Sequence, residues 1–290
     1  MNITIIVPTS GRPAVVARLL SLLERQTRLP DHVIVSATSP RDIGDISDLA
    51  FKVSCIYGEP GLCAQRNRGL SVRDPQTDII VFFDDDFVPA GSYLERLAQA
   101  FEENPDYAVT TGNVLADGAC GPGVGYDEAL ALLANPRVSL ASPPRVEDRE
   151  SAYGCNMSIR ARIIGERRFD ERLPLYGWQE DTDFTSQLRA HGQIVFLENL
   201  LGVHLGTKGG RVSGVRLGYS QIVNPVYLIG KGTMKRWYGL RLICRNLAAN
   251  LVKSLRPEPY IDRRGRLKGN LIGFIHLLTR RADTEHILKL

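Results

Sequence analysis

Five consecutive apolar residues, Ile79–Ile80–Val81–Phe82–Phe83, run directly into Asp84–Asp85–Asp86. β-Branched and aromatic side chains without polar alternation predict a strand buried on both faces, as in the middle of a parallel sheet. Three adjacent carboxylates at its exit repel and raise one another's pKa unless a positive charge sits nearby. With no Cys or His adjacent, oxygen ligands favour a hard divalent ion, Mg²⁺ or Mn²⁺, whose shell is completed by phosphate oxygens. Ligands of open α/β sheets bind beyond the carboxyl ends of the strands, which ranks this reading above a solvated acidic turn.

The rest of the chain supplies the sheet that such a strand needs. Residues 3–7, 32–35, 51–56 and 107–111 read as further short strands. Pro13 is placed to open a helix carrying Val15, Leu19, Leu22 and Leu23 at helical spacing, and further helices are expected from Leu62 and over Tyr93–Phe101. This alternation predicts an α/β fold with a doubly wound, mostly parallel sheet sandwiched by helices. A chain of 290 residues accommodates one large domain with an appendage. The expected division is a domain over residues 1–220, with halves 1–111 and 112–220, followed by a helical extension over 221–290.

Between Gly112 and Glu150 the periodicity lapses into Gly and Pro around one short expected helix at Glu128–Leu133. Such a long irregular segment is expected to wall a substrate cleft. Regular structure resumes with a strand expected over Ala152–Arg160. A second acidic cluster, Glu180, Asp181 and Asp183, then opens a helix expected to run through Leu188–Arg189. The exposed N–H groups and dipole of a first helical turn account for one carboxylate there, not three. A strand at Ile194–Leu197 precedes His204 and a Gly-rich run holding Lys208 and Arg211, which suits a loop closing over phosphates.

Charge is unevenly distributed. Residues 231–290 hold 14 Lys and Arg against 4 Asp and Glu, whereas residues 1–230 hold 22 against 28. A basic tail on a mildly acidic body points to an anionic partner such as a membrane surface, and a nucleic acid is not among the expected partners. In the tail, Leu240, Ile243, Cys244, Leu247, Leu251 and Leu255 are expected on one helical face, open to a membrane, to the sheet domain or to a second copy in a homodimer. The N-terminus reads as a first strand rather than a signal peptide. Five cysteines without a CxxC pair suggest reduced thiols, hence a cytoplasmic protein, peripheral at most to the inner membrane face.

Several landmarks, in order, resemble the family 2 glycosyltransferases of GT-A fold. They are Ile5–Ile6–Val7–Pro8–Thr9 with Arg12, Ala64–Gln65–Arg66–Asn67–Arg68–Gly69, Phe83–Asp84–Asp85–Asp86 with Pro89, Gly154–Cys155–Asn156, and Phe169–Asp170–Glu171 leading to Gly177–Trp178–Gln179–Glu180–Asp181. The resemblance implies a nucleotide-sugar donor bound with Mn²⁺ or Mg²⁺ and an inverting transfer to a saccharide or polyprenyl-diphosphate-linked acceptor. It also implies residue roles. Pro8, Thr9 and Arg12 line the nucleotide pocket with Arg66 beside them and Lys208 in the covering loop, and Asp84 and Asp85 approach the nucleotide. Asp86 and His204 contact the metal, Gly154 leaves room for the sugar, Glu180 binds the acceptor, and Asp181 is the general base. An Asp usual after the second strand is replaced by Ser36–Ala37–Thr38–Ser39, so the nucleobase is not specified. No QxxRW motif follows Asp181, which favours one transfer per encounter. Two competing enzyme classes share parts of the pattern. Asp84–x–Asp86–x–Val88 fits haloacid-dehalogenase-like phosphatases with Asp84 as nucleophile. A nucleotidyltransferase would carry a more Gly-rich first loop.

Overall fold

The computed structural model describes the chain except for residues 45, 47, 136–142 and 208–212 and the side chain of Cys120. The described residues fall into two compact units. One comprises Met1–Pro60, Ala64–Arg168 and Leu188–Gly210, and the other Gly61–Cys63, Phe169–Gln187 and Arg211–Leu290.

The first unit is built on a nine-stranded sheet. Its strands are β1 (Ile3–Pro8), β2 (His32–Ala37), β3 (Lys52–Tyr57), β4 (Ile79–Phe83), β5 (Phe87–Pro89), β6 (Tyr107–Asp117), β7 (Val146–Asp148), β8 (Asn156–Arg160) and β9 (Gln193–His204). They lie in the order β3-β2-β1-β4-β8-β6-β9-β5, with β7 also paired to β9. The expected parallel character holds from β3 to β4 and between β6 and β9, and β8 enters antiparallel between β4 and β6. The result is a mixed α/β sheet flanked by helices, α1 (Pro13–Leu23), α2 (Leu62–Ser71), α3 (Tyr93–Glu103) and α4 (Tyr126–Leu133).

The strand period decides what each helix covers. Ile3, Ile5 and Val7 point to one face with Val33, Val35, Val81 and Phe83, where Leu19, Leu20 and Leu23 of α1 and Leu94, Leu97 and Phe101 of α3 pack on them. Ile6 points to the other face, where α2 approaches so closely that a Cβ on Gly69 would stand 2.5 Å from Ile6 Cγ2. All five residues of β4 are fully buried, as its uninterrupted apolar run requires.

Two expectations are corrected here. Residues 152–155 are not strand, because Asn156 N bonds back to Tyr153 O in a turn and the Gly154 carbonyl accepts from the Arg66 guanidinium instead of a ladder partner. The pattern expected to lapse at Gly112 does not lapse at once. β6 continues to Asp117 by pairing with β9 through register shifts, which a period-2 reading does not see. Residues 136–142 of that segment lie outside the described residues.

The second unit is helical, with α5 (Glu180–Ser186), α6 (Gly214–Lys231), α7 (Arg236–Lys253) and α8 (Arg263–Leu278). α5 stops at Ser186, short of the expected Leu188–Arg189, and residues 189–191 form a separate single turn. Small residues set the packing of α6 on α8, where a Cβ on Gly218 or Gly269 would meet backbone oxygen at 2.0 Å. A buried amide cluster links three helices, with Asn250 Nδ2 donating to Gln221 Oε1 at 2.8 Å and to Asn270 Oδ1 at 2.9 Å. The apolar face expected of α7 holds except at Ile243, which turns inward. Gly239, Leu242, Ile243 and Asn250 face inward, while Leu240, Leu251 and Leu255 are exposed. Among the described residues no helix is long and apolar enough to cross a membrane.

Candidate active site

The carboxyl ends of β1 and β2 are tied together before any ligand group is considered. Thr9 N donates to Ser36 O at 3.0 Å, carrying the β1–β2 ladder one step past Pro8, the last residue of β1. Gln65 of α2 bonds both strand exits through Nε2, to Thr9 O at 2.7 Å and Ser36 O at 2.8 Å. Asp42 accepts the backbone N–H groups of Gly11 (2.9 Å), Thr38 (3.0 Å) and Ser39 (2.9 Å). Burial pushes the Asp42 carboxyl up, but the Thr38 hydroxyl, which also donates to it, and these backbone bonds outweigh burial and hold its pKa below the ordinary value.

The three carboxylates after β4 then separate into three environments. Asp84 turns the chain, with Phe87 N donating to its carbonyl at 3.0 Å, and its Oδ1 accepts from the fully buried Arg66 at 3.0 Å. The same guanidinium nitrogen of Arg66 donates to Gly154 O at 2.9 Å. Asp85 is 1% exposed and points inward, accepting from Thr9 Oγ1 at 2.6 Å, with Arg12 at 2.8 Å. Burial raises the Asp85 pKa to about 7, Arg12 and Thr9 opposing and the neighbouring carboxylates assisting. Asp86 faces His204, whose Nε2 stands 3.3 Å from Oδ1, and its Oδ2 accepts from Thr207 N at 2.6 Å. Burial opposes its ionisation, but His204, Arg12 and Thr207 N hold Asp86 at about 2.

His204 closes the cluster from the end of β9. Its Nδ1 bonds Asp117 Oδ1 at 2.9 Å, and Tyr153 Oη donates to Asp117 Oδ2 at 2.9 Å, which leaves Nε2 facing Asp86 and, at 3.9 Å, Asp84. Burial would lower the imidazole pKa, but the Asp117 and Asp86 bonds raise it to about 10. The segment beyond is shaped by a close backbone crossing. Gly206 has φ +64°, and a Cβ on it would stand 2.1 Å from the carbonyl carbon of Gly118.

Asp84, Asp86 and His204 each offer a ligand atom, all within 4.8 Å of one another. Two carboxylates and an imidazole oriented through its other nitrogen by a carboxylate form a donor set that fits a divalent cation such as Mn²⁺ or Mg²⁺. A cleft of about 370 Å³ opens beside Asp85 and Asp86, between Val15 and Leu19 of α1, Pro122–Tyr126 and Leu205–Thr207. Part of the Gly112–Glu150 segment therefore does wall a cleft.

Of the residues singled out from sequence, the first unit brings together Pro8, Thr9, Arg12, Arg66, Asp84, Asp85, Asp86, Gly154 and His204. Lys208 lies outside the described residues. Glu180 and Asp181 belong to the second unit, on the first turn of α5. Glu180 is buried, and Asp181 Oδ1 accepts from Thr182 N at 2.7 Å. The backbone entering this turn is unusual, with Leu175, Gly177 and Gln179 all at positive φ. Sequence reasoning missed Asp42, Asp117 and Tyr153. Asp117 sits where β6 was expected to have ended, and no short-range pattern marks its pairing with His204.

A mixed sheet of this kind, flanked by helices and with an acidic turn after its buried fourth strand, is of GT-A type. The chain belongs to glycosyl transferase family 2, whose description matches residues 4–165. An uncharacterized glycosyltransferase of Haemophilus influenzae is 30% identical over 105 residues, which span 36% of this chain and 36% of that protein. Residues 1–349 of S. aureus TarS, crystallised with UDP-GlcNAc, superpose with a TM-score of 0.57 at 17% identity, over 97% of this chain and 83% of that one. This chain spans 40% of a longer TarS chain. The mannosyltransferase PcManGT from Pyrobaculum calidifontis, in complex with GDP-Man and Mn²⁺, gives 0.54 at 13% identity, over 99% and 85%. These likenesses are of fold. Family membership sets aside the phosphatase and nucleotidyltransferase alternatives.

Proposed function

We propose that this protein is an inverting, metal-assisted glycosyltransferase that makes a single transfer per encounter. Its donor would be a nucleoside-diphosphate sugar, most simply a UDP-sugar, and its acceptor a saccharide or polyprenyl-diphosphate-linked saccharide in cell-surface glycoconjugate synthesis. The observation that carries this reading is the convergence of Asp84, Asp86 and the Asp117-oriented His204 at the carboxyl edge of the sheet. A divalent ion held there would neutralise charge developing on the departing diphosphate.

The chain's own residues supply the rest. Pro8, Thr9 and Arg12 would border the nucleotide, with Asp85 fixing Arg12 and Thr9 from below. Arg66 would hold Asp84 toward the ribose, Gly154 would leave space for the sugar, and Lys208 would meet phosphate from the covering loop. Residues 1–111 would form the nucleotide-sugar-binding half and residues 112–220 the acceptor-binding and catalytic half, which also lends Gly154, His204 and Lys208 to the donor, with Glu180 contacting the acceptor. Asp181 would take the proton of the attacking hydroxyl, and attack on the face opposite the leaving diphosphate inverts the anomeric centre.

Calorimetric titration with UDP, GDP and dTDP, each with Mn²⁺ and again with chelator, tests the donor site, followed by transfer assays on a sugar panel. Metal-dependent binding of one nucleotide is the expected result, and metal-indifferent binding or none counts against the assignment. Asp181→Asn is expected to leave nucleotide binding nearly intact while abolishing transfer.

A further inference from the structure

We propose that the outward face of α7 seats on an anionic lipid bilayer surface. The helix is apolar on two opposite sides. Its inner side, Gly239, Leu242, Ile243 and Asn250, is buried within the second unit. Its outer side exposes Trp237 (66%), Leu240 (58%), Leu251 (57%) and Val252 (67%), and Leu255 (86%) just beyond the last turn prolongs the stripe. Trp237, Leu240, Cys244 and Leu251 recur at intervals of three, four and seven, which is one line along a helix. Large apolar side chains in a continuous exposed line mark an interaction surface rather than scattered surface residues.

The charges beside the stripe identify its partner. From Gly232 to Pro257 there is no Asp or Glu, while Lys235, Arg236, Arg241, Arg245, Lys253 and Arg256 are all exposed. The Arg241 guanidinium lies 5.6 Å over the Trp237 ring, at the edge of the apolar line. α8 repeats the arrangement, with Leu271, Ile275 and Leu278 exposed in line with Arg264 and Lys268. A second copy is a poor occupant, because a two-fold interface sets the same patch against itself and would bring arginine against arginine. An anionic bilayer complements both features, since the apolar line enters the acyl boundary while the flanking cations stay at the headgroup phosphates. Among the described residues no helix can span the bilayer, so the contact is one of surface seating.

The test is sedimentation of the purified full chain with vesicles of phosphatidylcholine alone and with added phosphatidylglycerol, at low and high salt. Binding to the anionic vesicles is expected to exceed binding to neutral ones by more than about tenfold and to fall with salt. It should bring a blue shift of tryptophan emission that Trp237→Phe removes. The exposed double variant Leu251→Glu/Leu255→Glu should lose that binding while keeping the wild-type circular dichroism and melting temperature. No binding of wild type to anionic vesicles overturns the proposal, as does equal binding by the double variant. A wild-type dimer that the double variant dissolves, with lipid binding absent, overturns it in favour of a second copy.

Discussion

His204 bridges two carboxylates from opposite ring nitrogens, Nδ1 at 2.9 Å from Asp117 and Nε2 at 3.3 Å from Asp86. With no cation on Nε2 the imidazole would therefore keep its second ring proton well above its usual range, to about pH 10. A cation that takes Nε2 as ligand must displace that proton. Mn²⁺ affinity is accordingly expected to rise with pH up to about 10 and to fall as pH is lowered. Titration calorimetry in buffers of differing ionisation heat should show close to one proton released per ion at neutral pH. Asp117→Asn, by removing the largest influence that raises the imidazole pKa, should reduce the proton release.

Arg66 Nη2 donates to both Asp84 Oδ1 and the Gly154 carbonyl, and the side chain is fully buried while doing so. Arg66→Leu removes both of these bonds and the buried counter-charge of Asp84, at a cost of about 2–4 kcal/mol. Urea unfolding should register the loss, and Arg66→Lys should recover only part of it.

In the second unit Lys231 Nζ lies 2.7 Å from both Asp170 and Asp183, and Thr233 Oγ1 also donates to Asp183 at 2.6 Å. Burial opposes the Lys231 charge, but the two carboxylates outweigh it and raise its pKa above the ordinary 10.5. Its stabilisation is complete below that value and disappears as pH rises through the folded pKa. Asp170, held below 3.8 by Lys231 and Tyr227 against burial, contributes above 3.8 and loses its contribution as pH falls through its folded pKa. Lys231→Met should destabilise the protein by about 3 kcal/mol near neutrality, since Asp183 stays buried with its main counter-charge gone. The difference from wild type should shrink at both pH extremes, as denaturant titrations across the range would show.

Gly206→Ala would force an L-residue into a left-handed conformation and drive its Cβ into the Gly118 backbone. The conformational part alone costs about 1–2 kcal/mol. Because Thr207 N bonds Asp86 from the next residue, Mn²⁺ affinity is expected to fall together with the melting temperature. An unchanged affinity would show that the crossing is not what positions Thr207.

The buried β4 with its acidic exit and the βα alternation before it were legible in the sequence, and the family resemblance implied that Thr9, Arg12 and Arg66 gather beside Asp84–Asp86. A strand's side-chain period and a helix's apolar spacing are local properties, and the turn after a buried strand puts its polar residues at the sheet edge. Tertiary structure alone decided the register shifts that carry β6 on to Asp117, and with them the carboxylate that orients His204 from 87 residues away. It also decided that Asp85 turns inward, and that residues 169–187 pack in one compact unit with helices that follow Arg211. The physical reason is the same in each case. Pairing between distant strands and burial against distant helices depend on partners that no window of sequence contains, so α7 could be known as amphipathic from its spacing, but its inward side was fixed only by the close approach of Gly239 to Ile229 and by the amides of Gln221 and Asn270 that hold Asn250.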